Sequence, residues 1–236
     1  MLRNREKGRL KDDDSWFRYI YPKNLNLFDN EKLVAPEISL GGNFAYDVNG
    51  EFYSTTKIYG YIKNDNIPES YKLWLGLFNS KLFWFYLQHT GYVLRGGYFT
   101  FKTNYVTPFP VPNQLPCEIV HTVEILSDYI MSVKSSTEPI SDLVSNKFIS
   151  DYFERIIDGC IFELYFPDHM KENDIDIVAA ASRLIQPIDH LTTEKEKCDK
   201  IWDVFTLIKK TDNQVRDRLE LFSLRSPDIL KPIIEG

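Results

Sequence analysis

The side chains of this chain that are best suited to chemistry are cations set among aromatic residues in its first half. The cations are Arg18, Lys57, Lys63, Arg95 and Lys102, and the aromatic residue singled out with them is Tyr98. Lysine binds phosphate, an arginine on a tight loop can donate two hydrogen bonds to a guanine edge, and a tyrosine can pack against a base. These residue types predict contact with DNA.

A structural interpretation of the same residues stays open at this stage. Tyr98, Phe99 and Phe101 also suit a hydrophobic core, and Arg95 also suits the end of the preceding helix. The pattern alone does not separate the two interpretations.

The charge distribution is compatible with a nucleic-acid partner although the net charge is −6. Residues 1–112 carry 14 Lys/Arg against 11 Asp/Glu, a balance of +3. Residues 113–236 carry 14 against 23, a balance of −9. Because local charge governs a binding surface, the first half can contact phosphate while the acidity belongs to the second half.

Motifs for catalysis are missing from the sequence. It contains no GxGxxG or GxxxxGK[ST] phosphate loop, no Asp or Glu two residues before a Lys as in restriction-type nuclease cores, and no [ND]PP[YF] element of amino-methyltransferases. The four histidines are isolated, without the spacing of metal ligands. We therefore expect no catalytic residue, metal or cofactor here. That the chain is an enzyme with an unrecognised site stays open as an alternative.

Composition favours a cytoplasmic protein that does not enter a membrane. The chain has no apolar run of about 18 residues, and its charged start, MLRNREKGRLKDDD, is unlike a secretory signal. Cys117, Cys160 and Cys198 are odd in number and far apart, which suits a reducing compartment.

The elements that must position Arg95 and Tyr98 lie in the stretch LGLFNSKLFWFYLQHTGYVLRGGYFTFKTNYVTPFPVP, residues 75–112. It reads as an aromatic-rich helical region in which Ser80 caps a second helix over Lys81–His89. A Gly-Gly turn follows, and then an alternating strand with Tyr98, Thr100 and Lys102 on one face. The prolines at 108, 110 and 112 end it.

Around this stretch the sequence predicts three segments. Residues 1–14 read as a flexible tail, residues 15–112 as an α+β domain, and residues 113–236 as a helical domain. Within the second segment, Asn49-Gly50 predicts a hairpin that pairs Phe44–Val48 with Glu51–Ser54. The third reads as helices over Cys117–Val133, Ile140–Phe166, Ile175–Leu184 and Glu194–Lys210, with a core-facing stripe in the second helix.

Residues 75–112 resemble the TaqI-like C-terminal specificity domain of N6-adenine DNA methyltransferases and type IIG restriction-modification enzymes. The shared features are a Leu-Gly-x-x-Asn-Ser helix step, a Gly-Gly turn and a strand leading to Pro-x-Pro. WFRYIYPKNLNLFDNEKLVAPEI and NFAYDVNGEFYSTTKIYGYI are similar to the opening of that domain. The resemblance covers roughly residues 15 to 112.

This resemblance implies an α+β recognition domain with a mixed or antiparallel sheet, followed by an all-helical C-terminal region. It implies a module that binds double-stranded DNA and reads its sequence, beside a methyltransferase core in cis or in trans. S-adenosylmethionine and Mg would belong to the parent enzyme, since this chain lacks that core. The alternative is a protein-interaction module that docks a separate methyltransferase or nuclease subunit.

Overall fold

A computed structural model describes residues 2–9, 14, 16–18, 24–53 and 57–236. Within them the chain begins with short 3-10 helices at Leu2–Gly8 and Leu25–Leu27. Ser15, the predicted first residue of the α+β domain, lies outside the described residues. The boundaries of the three predicted segments stay predictions.

Two small antiparallel sheets organise the first half. In the first, β1 (Lys32–Pro36) lies between β3 (Ala45–Asp47) and β4 (Ile58–Tyr61). In the second, β2 (Ile38–Ser39) pairs with β5 (Phe99–Thr100). Because only Glu37 separates β1 from β2, one extended stretch of chain crosses from the first sheet into the second.

The predicted hairpin around Asn49-Gly50 is wrong. β3 pairs with β1, with Leu33 opposite Tyr46, and the described part of the predicted second strand, residues 51–53, is not a strand. The carboxylate of Asp47 accepts the N–H groups of Glu51 and Phe52 at 2.9 and 3.0 Å, which takes the donors that a hairpin would use. Ser54, the last residue of the predicted pair, lies outside the described residues.

Gly50 allows this turn to pack against the neighbouring loop. Its φ is +68°, and a Cβ atom there would lie 2.2 Å from the carbonyl oxygen of Asp29. Gly50→Ala is therefore expected to lower the free energy of unfolding by more than about 2 kcal/mol, through strain at positive φ and a backbone clash. Urea unfolding measures the loss.

The matched control for this prediction is Gly41→Ala. Gly41 also has a positive φ, +107°, but a Cβ atom there would have nothing within 4 Å. It should show only the conformational cost, about 1 to 2 kcal/mol. Equal losses in the two variants would contradict the close approach of Gly50 to Asp29.

Two helices follow the sheets, α1 (Tyr71–Asn79) and α2 (Lys81–Thr90). The predicted cap is confirmed, since the side chain of Ser80 accepts a hydrogen bond from the N–H of Phe83. Asn79 joins the helices to the sheet, because its amide exchanges hydrogen bonds of 2.9 and 3.0 Å with the backbone of Phe44. The Asn-Ser step therefore ends one helix, starts the next and holds the chain leading into β3.

The strand predicted after the Gly-Gly turn is shorter than expected. Only Phe99–Thr100 is a strand, and Thr103–Val106 forms the short helix α3. Thr100 is buried, whereas Tyr98 and Lys102, which were predicted to share its face, are exposed.

The second half of the described chain is helical, as predicted. Its helices are α4 (Cys117–Ser135), α5 (Asn146–Tyr165), α6 (Pro167–Glu172), α7 (Val178–Leu184), α8 (Glu194–Lys209), α9 (Gln214–Arg225) and α10 (Leu230–Glu235). The second predicted helix starts six residues later than expected, at Asn146, because Ser145 caps it. Its stripe is buried except at Phe148.

The hydrophobic core continues across the predicted boundary at Pro112. Buried residues of the first half and of the helical half belong to one cluster. Gly76 on α1 lets α4 approach closely, since a Cβ atom there would lie 2.6 Å from Val123. Tyr165 donates a hydrogen bond of 2.7 Å to the carbonyl oxygen of Pro110. The fold is α+β with antiparallel sheets and a helical C-terminal region, as the sequence predicts.

Candidate nucleic-acid interface

Residues 92–101, which we call the ribbon, fold into a short antiparallel hairpin. Val93 lies opposite Phe99, and Leu94 donates its N–H to the carbonyl oxygen of Tyr98 at 2.6 Å. The tip is a turn over residues 94–97, closed by a hydrogen bond of 3.2 Å from Gly97 to Leu94. Gly96 has the positive φ, +87°, that a type II turn requires at its third position. The turn therefore places Arg95 at the tip.

Packing holds the base of the ribbon in place. The ring of Phe99 meets Trp84 of α2 edge-on, with centroids 5.3 Å apart, and Phe101 is fully buried. Tyr61 of β4 donates its hydroxyl to the carbonyl oxygen of Phe101. Burial raises the pKa of the Tyr61 phenol, so it stays a neutral donor at ordinary pH. The tip thus extends from a fixed support.

The tip presents a cation and an aromatic ring to solvent. Tyr98 is exposed, and its ring lies beside Gly96, where a Cβ atom would be 3.4 Å from the ring carbons. Arg95 is exposed and, among the residues that the structure describes, hydrogen bonds to none. The guanidinium group therefore keeps all its donors for an external partner.

Two of the predicted lysines, Lys57 and Lys102, lie at the base of the ribbon, near Glu37. The N–H of Glu37 donates to the carbonyl oxygen of Lys57 at 2.8 Å, and its carbonyl oxygen accepts from Phe101 at 3.0 Å. Lys102 follows Phe101, is exposed and has no ion pair within the described part of the chain. The ammonium group of Lys57 lies 3.3 Å from the Glu37 carboxylate, with 77% of its side chain exposed.

The spacing between tip and base suits a DNA groove. Extended backbone rises by about 3.3 Å per residue, so the four steps from Tyr98 to Lys102 span roughly 13 Å. The major groove is about 12 Å wide and admits a two-stranded ribbon. A base contact at the tip and phosphate contacts near the base are therefore geometrically compatible.

Residues 4–111 match the sequence model of a family described as the TaqI-like C-terminal specificity domain. This part of the chain is a TaqI-like specificity domain. Such domains recognise the DNA target in restriction-modification enzymes, which makes this segment a DNA target-recognition domain. A search of curated proteins found no match to the chain.

The specificity domain brings four of the six predicted residues to one element and its base: Arg95, Tyr98, Lys57 and Lys102. Lys63 is instead half-buried, and its ammonium group donates to the carbonyl oxygen of Glu69 at 2.7 Å and lies over the ring of Tyr71. Arg18 is exposed, but residues 15 and 19–23 around it lie outside the described part of the chain. DNA contact stays a prediction for all six.

On and beside the ribbon, sequence reasoning missed the exposed apolar residues Ile38, Leu40 and Tyr92. Ile38 lies in β2, and Leu40 follows directly after it. A two-residue strand is too short to produce a recognisable pattern. The only available signal was the alternation in Glu37-Ile38-Ser39-Leu40, with apolar residues at every second position.

The described residues of the specificity domain and helical half offer no metal centre: nowhere do three or more His, Cys, Asp or Glu side chains group to hold an ion. An apolar cavity of about 810 Å³ lies beside β3, α1 and α4, and none of the six predicted residues lines it. None of the described helices has the length and apolar character that a membrane crossing needs.

Proposed function

We propose that this chain is the DNA sequence-recognition portion of a type IIG restriction-modification enzyme or of an N6-adenine DNA methyltransferase, and that it is non-catalytic on its own. The match of residues 4–111 to the TaqI-like specificity domain carries this proposal. The exposed ribbon tip, with an arginine that has no partner among the described residues, supports it.

In this proposal the ribbon enters the major groove. Arg95 donates two hydrogen bonds to a guanine edge, and Tyr98 packs against a neighbouring base. Lys57 and Lys102 bind phosphates and set the register of the ribbon on the duplex. The ion pair of Lys57 with Glu37 is exposed, and such pairs contribute at most about 1 kcal/mol, so phosphate can replace Glu37 at little cost.

Catalysis belongs to a methyltransferase core, in cis or in trans, that holds S-adenosylmethionine, and Mg would serve a nuclease part. We place the assembly in the cytoplasm, which suits the three free cysteines of this chain. The alternative is that the chain mainly docks such a catalytic subunit. Stable co-purification with that subunit, without salt-dependent DNA binding, would favour the alternative.

Binding by the chain alone should be weak. Few cations are available on the ribbon and its base, and phosphate contacts supply most of the affinity for DNA. We expect a Kd of about 1 μM or weaker at physiological salt. Fluorescence anisotropy with labelled duplexes from a random library, at two salt concentrations, tests this. Binding that neither responds to salt nor distinguishes sequences would contradict the proposed function.

Lys57→Ala should weaken binding to every duplex alike. A lysine that contacts one phosphate releases about one counterion, so its loss should lower affinity roughly fivefold at 0.15 M salt and reduce the salt slope by about 1. The same titrations measure both quantities for selected and scrambled duplexes.

Lys147→Ala is the matched control for Lys57→Ala. Lys147 is also an exposed lysine in an ion pair, with Asp151, but it lies on α5 of the helical half. This variant should bind like the wild type. An equal loss of affinity in the two variants would show a general charge effect and would contradict phosphate contact at Lys57.

A further inference from the structure

Four exposed side chains form an apolar patch on the ribbon and β2, which we call the outer face: Ile38, Leu40, Tyr92 and Tyr98. Their exposed fractions are 42, 54, 58 and 41%, in that order. No charged residue belongs to the patch, and a contiguous exposed apolar patch on a protein surface commonly marks a binding site.

The strand register places these four side chains on one side of the sheet. Residues directly opposite each other in an antiparallel pair share a face. Phe99 lies opposite both Ser39 and Val93. Phe99 packs inward against Trp84, so Ser39 and Val93 share this inward side with it. Because side chains alternate along a strand, the residues next to these three positions project from the other side. That side is the outer face.

The outer face is continuous with the proposed DNA contacts. Tyr98 belongs to both, and Leu40 approaches the turn, since a Cβ atom at Gly97 would lie 4.0 Å from a methyl group of Leu40. Arg95 occupies the tip of the same turn. A ribbon that inserts Arg95 into the major groove therefore carries the outer face in with it.

An apolar side chain in the major groove has one favourable partner. Among the base edges of unmodified DNA, only thymine presents an apolar group there, its C5 methyl. The minor groove, about 6 Å wide, admits a two-stranded ribbon only when the duplex is deformed, whereas the major groove admits one as it stands. We propose that the outer face reads thymine methyl groups beside the base contacted by Arg95, with Leu40 as the main specificity-determining residue. This inference rests on the proposed function.

Uracil substitution tests the inference, because uracil lacks only the methyl group of thymine. A preferred target is first selected from random duplexes with the full chain, and each thymine is then replaced by uracil singly. We expect about fourfold weaker binding at one or two positions, the loss that corresponds to one buried methyl group. No change at any thymine, or a preferred target without thymine, would overturn the inference.

Leu40→Ala should bring the thymine-to-uracil affinity ratio at that position close to 1. Val93→Ala is the matched control, since Val93 is similarly exposed but lies on the opposite face of the ribbon, and it should leave the ratio unchanged. Thermal unfolding establishes that both variants are folded.

The outcomes also separate this inference from the proposed function. Leu40→Ala could instead weaken binding to all sequences alike and leave the thymine-to-uracil affinity ratio at its wild-type value. The outer face then contributes apolar contacts without reading thymine, so the inference fails while the proposed function stands. If the wild-type chain selects no target at all, the proposed function itself fails and the inference fails with it.

Discussion

The Arg95→Ala protein is expected to lose most of its preference for one base pair of its target. An arginine with two hydrogen bonds to guanine contributes about 1 to 3 kcal/mol of discrimination against the wrong base, which is roughly 5- to 150-fold in affinity. The measurement is the ratio of Kd values for the selected target and for the target changed at each position in turn. The ratio should fall toward 1 at a single position.

Two comparison variants make this result specific to Arg95. Arg95→Lys keeps the positive charge but not the planar fork, so it should recover overall affinity without recovering the preference. Arg155→Ala removes an exposed arginine of α5 that pairs with Glu220 at 3.1 Å. This variant should change neither the overall affinity for DNA nor the preference for one base pair. Equal loss of affinity for target and scrambled duplexes in Arg95→Ala would disprove base reading by this residue.

Asp47→Asn is expected to destabilise the fold by about 3 to 5 kcal/mol, the usual cost of leaving one charge of a buried pair without its partner. The side chains of Lys32 and Asp47 are 3% and 2% exposed and form an ion pair. Lys32 also donates to the carbonyl oxygen of Phe28, so its ammonium group is held inside the fold. Urea unfolding gives the difference in the free energy of unfolding.

Two variants test this interpretation of the buried pair. Asp151→Asn breaks the exposed pair with Lys147 and should cost less than about 1 kcal/mol. Replacing Lys32 with methionine in the Asp47→Asn background should recover part of the loss, because the unpaired charge is then gone. A double variant less stable than Asp47→Asn would show that Lys32 acts mainly through its hydrogen bonds to carbonyl oxygens.

The pH dependence of the pair has a defined sign. Burial alone would raise the pKa of Asp47, but hydrogen bonds from Lys32, Phe52 and Glu51 outweigh it and hold the pKa below its ordinary value of 3.8. A lowered carboxyl pKa contributes stability above the unfolded pKa and loses it as pH falls through the folded pKa. The difference between wild type and Asp47→Asn should therefore shrink below about pH 4.

Much of the helical architecture was predictable from local sequence signals. The Ser80 cap and the buried stripe of α5 both depend on neighbours within a few residues, and both were identified. Residues 15–112 were identified through motifs that the family match over residues 4–111 now supports. Short-range patterns sufficed wherever the stabilising contacts are themselves short-range.

The strand pairings were harder to predict because their partners are distant in the sequence. Asn49-Gly50 indicated a local hairpin, but the Asp47 carboxylate takes the N–H groups of Glu51 and Phe52. β2 pairs with β5, about sixty residues later, so the only local signal for Leu40 beside the ribbon was the alternation over residues 37–40. Lys63 was predicted to contact DNA, yet its ammonium group donates a hydrogen bond to the carbonyl oxygen of Glu69.

The shared core of the two halves links recognition to thermal stability. Because apolar side chains on both sides of residue 112 pack in one cluster, melting of the helical half removes the support of α1 and α2 beneath the ribbon. A ligand that binds only the folded state raises the melting temperature of everything that unfolds with its site. A duplex held at the ribbon would therefore protect helices as remote in sequence as α10, which packs against α9 and α2.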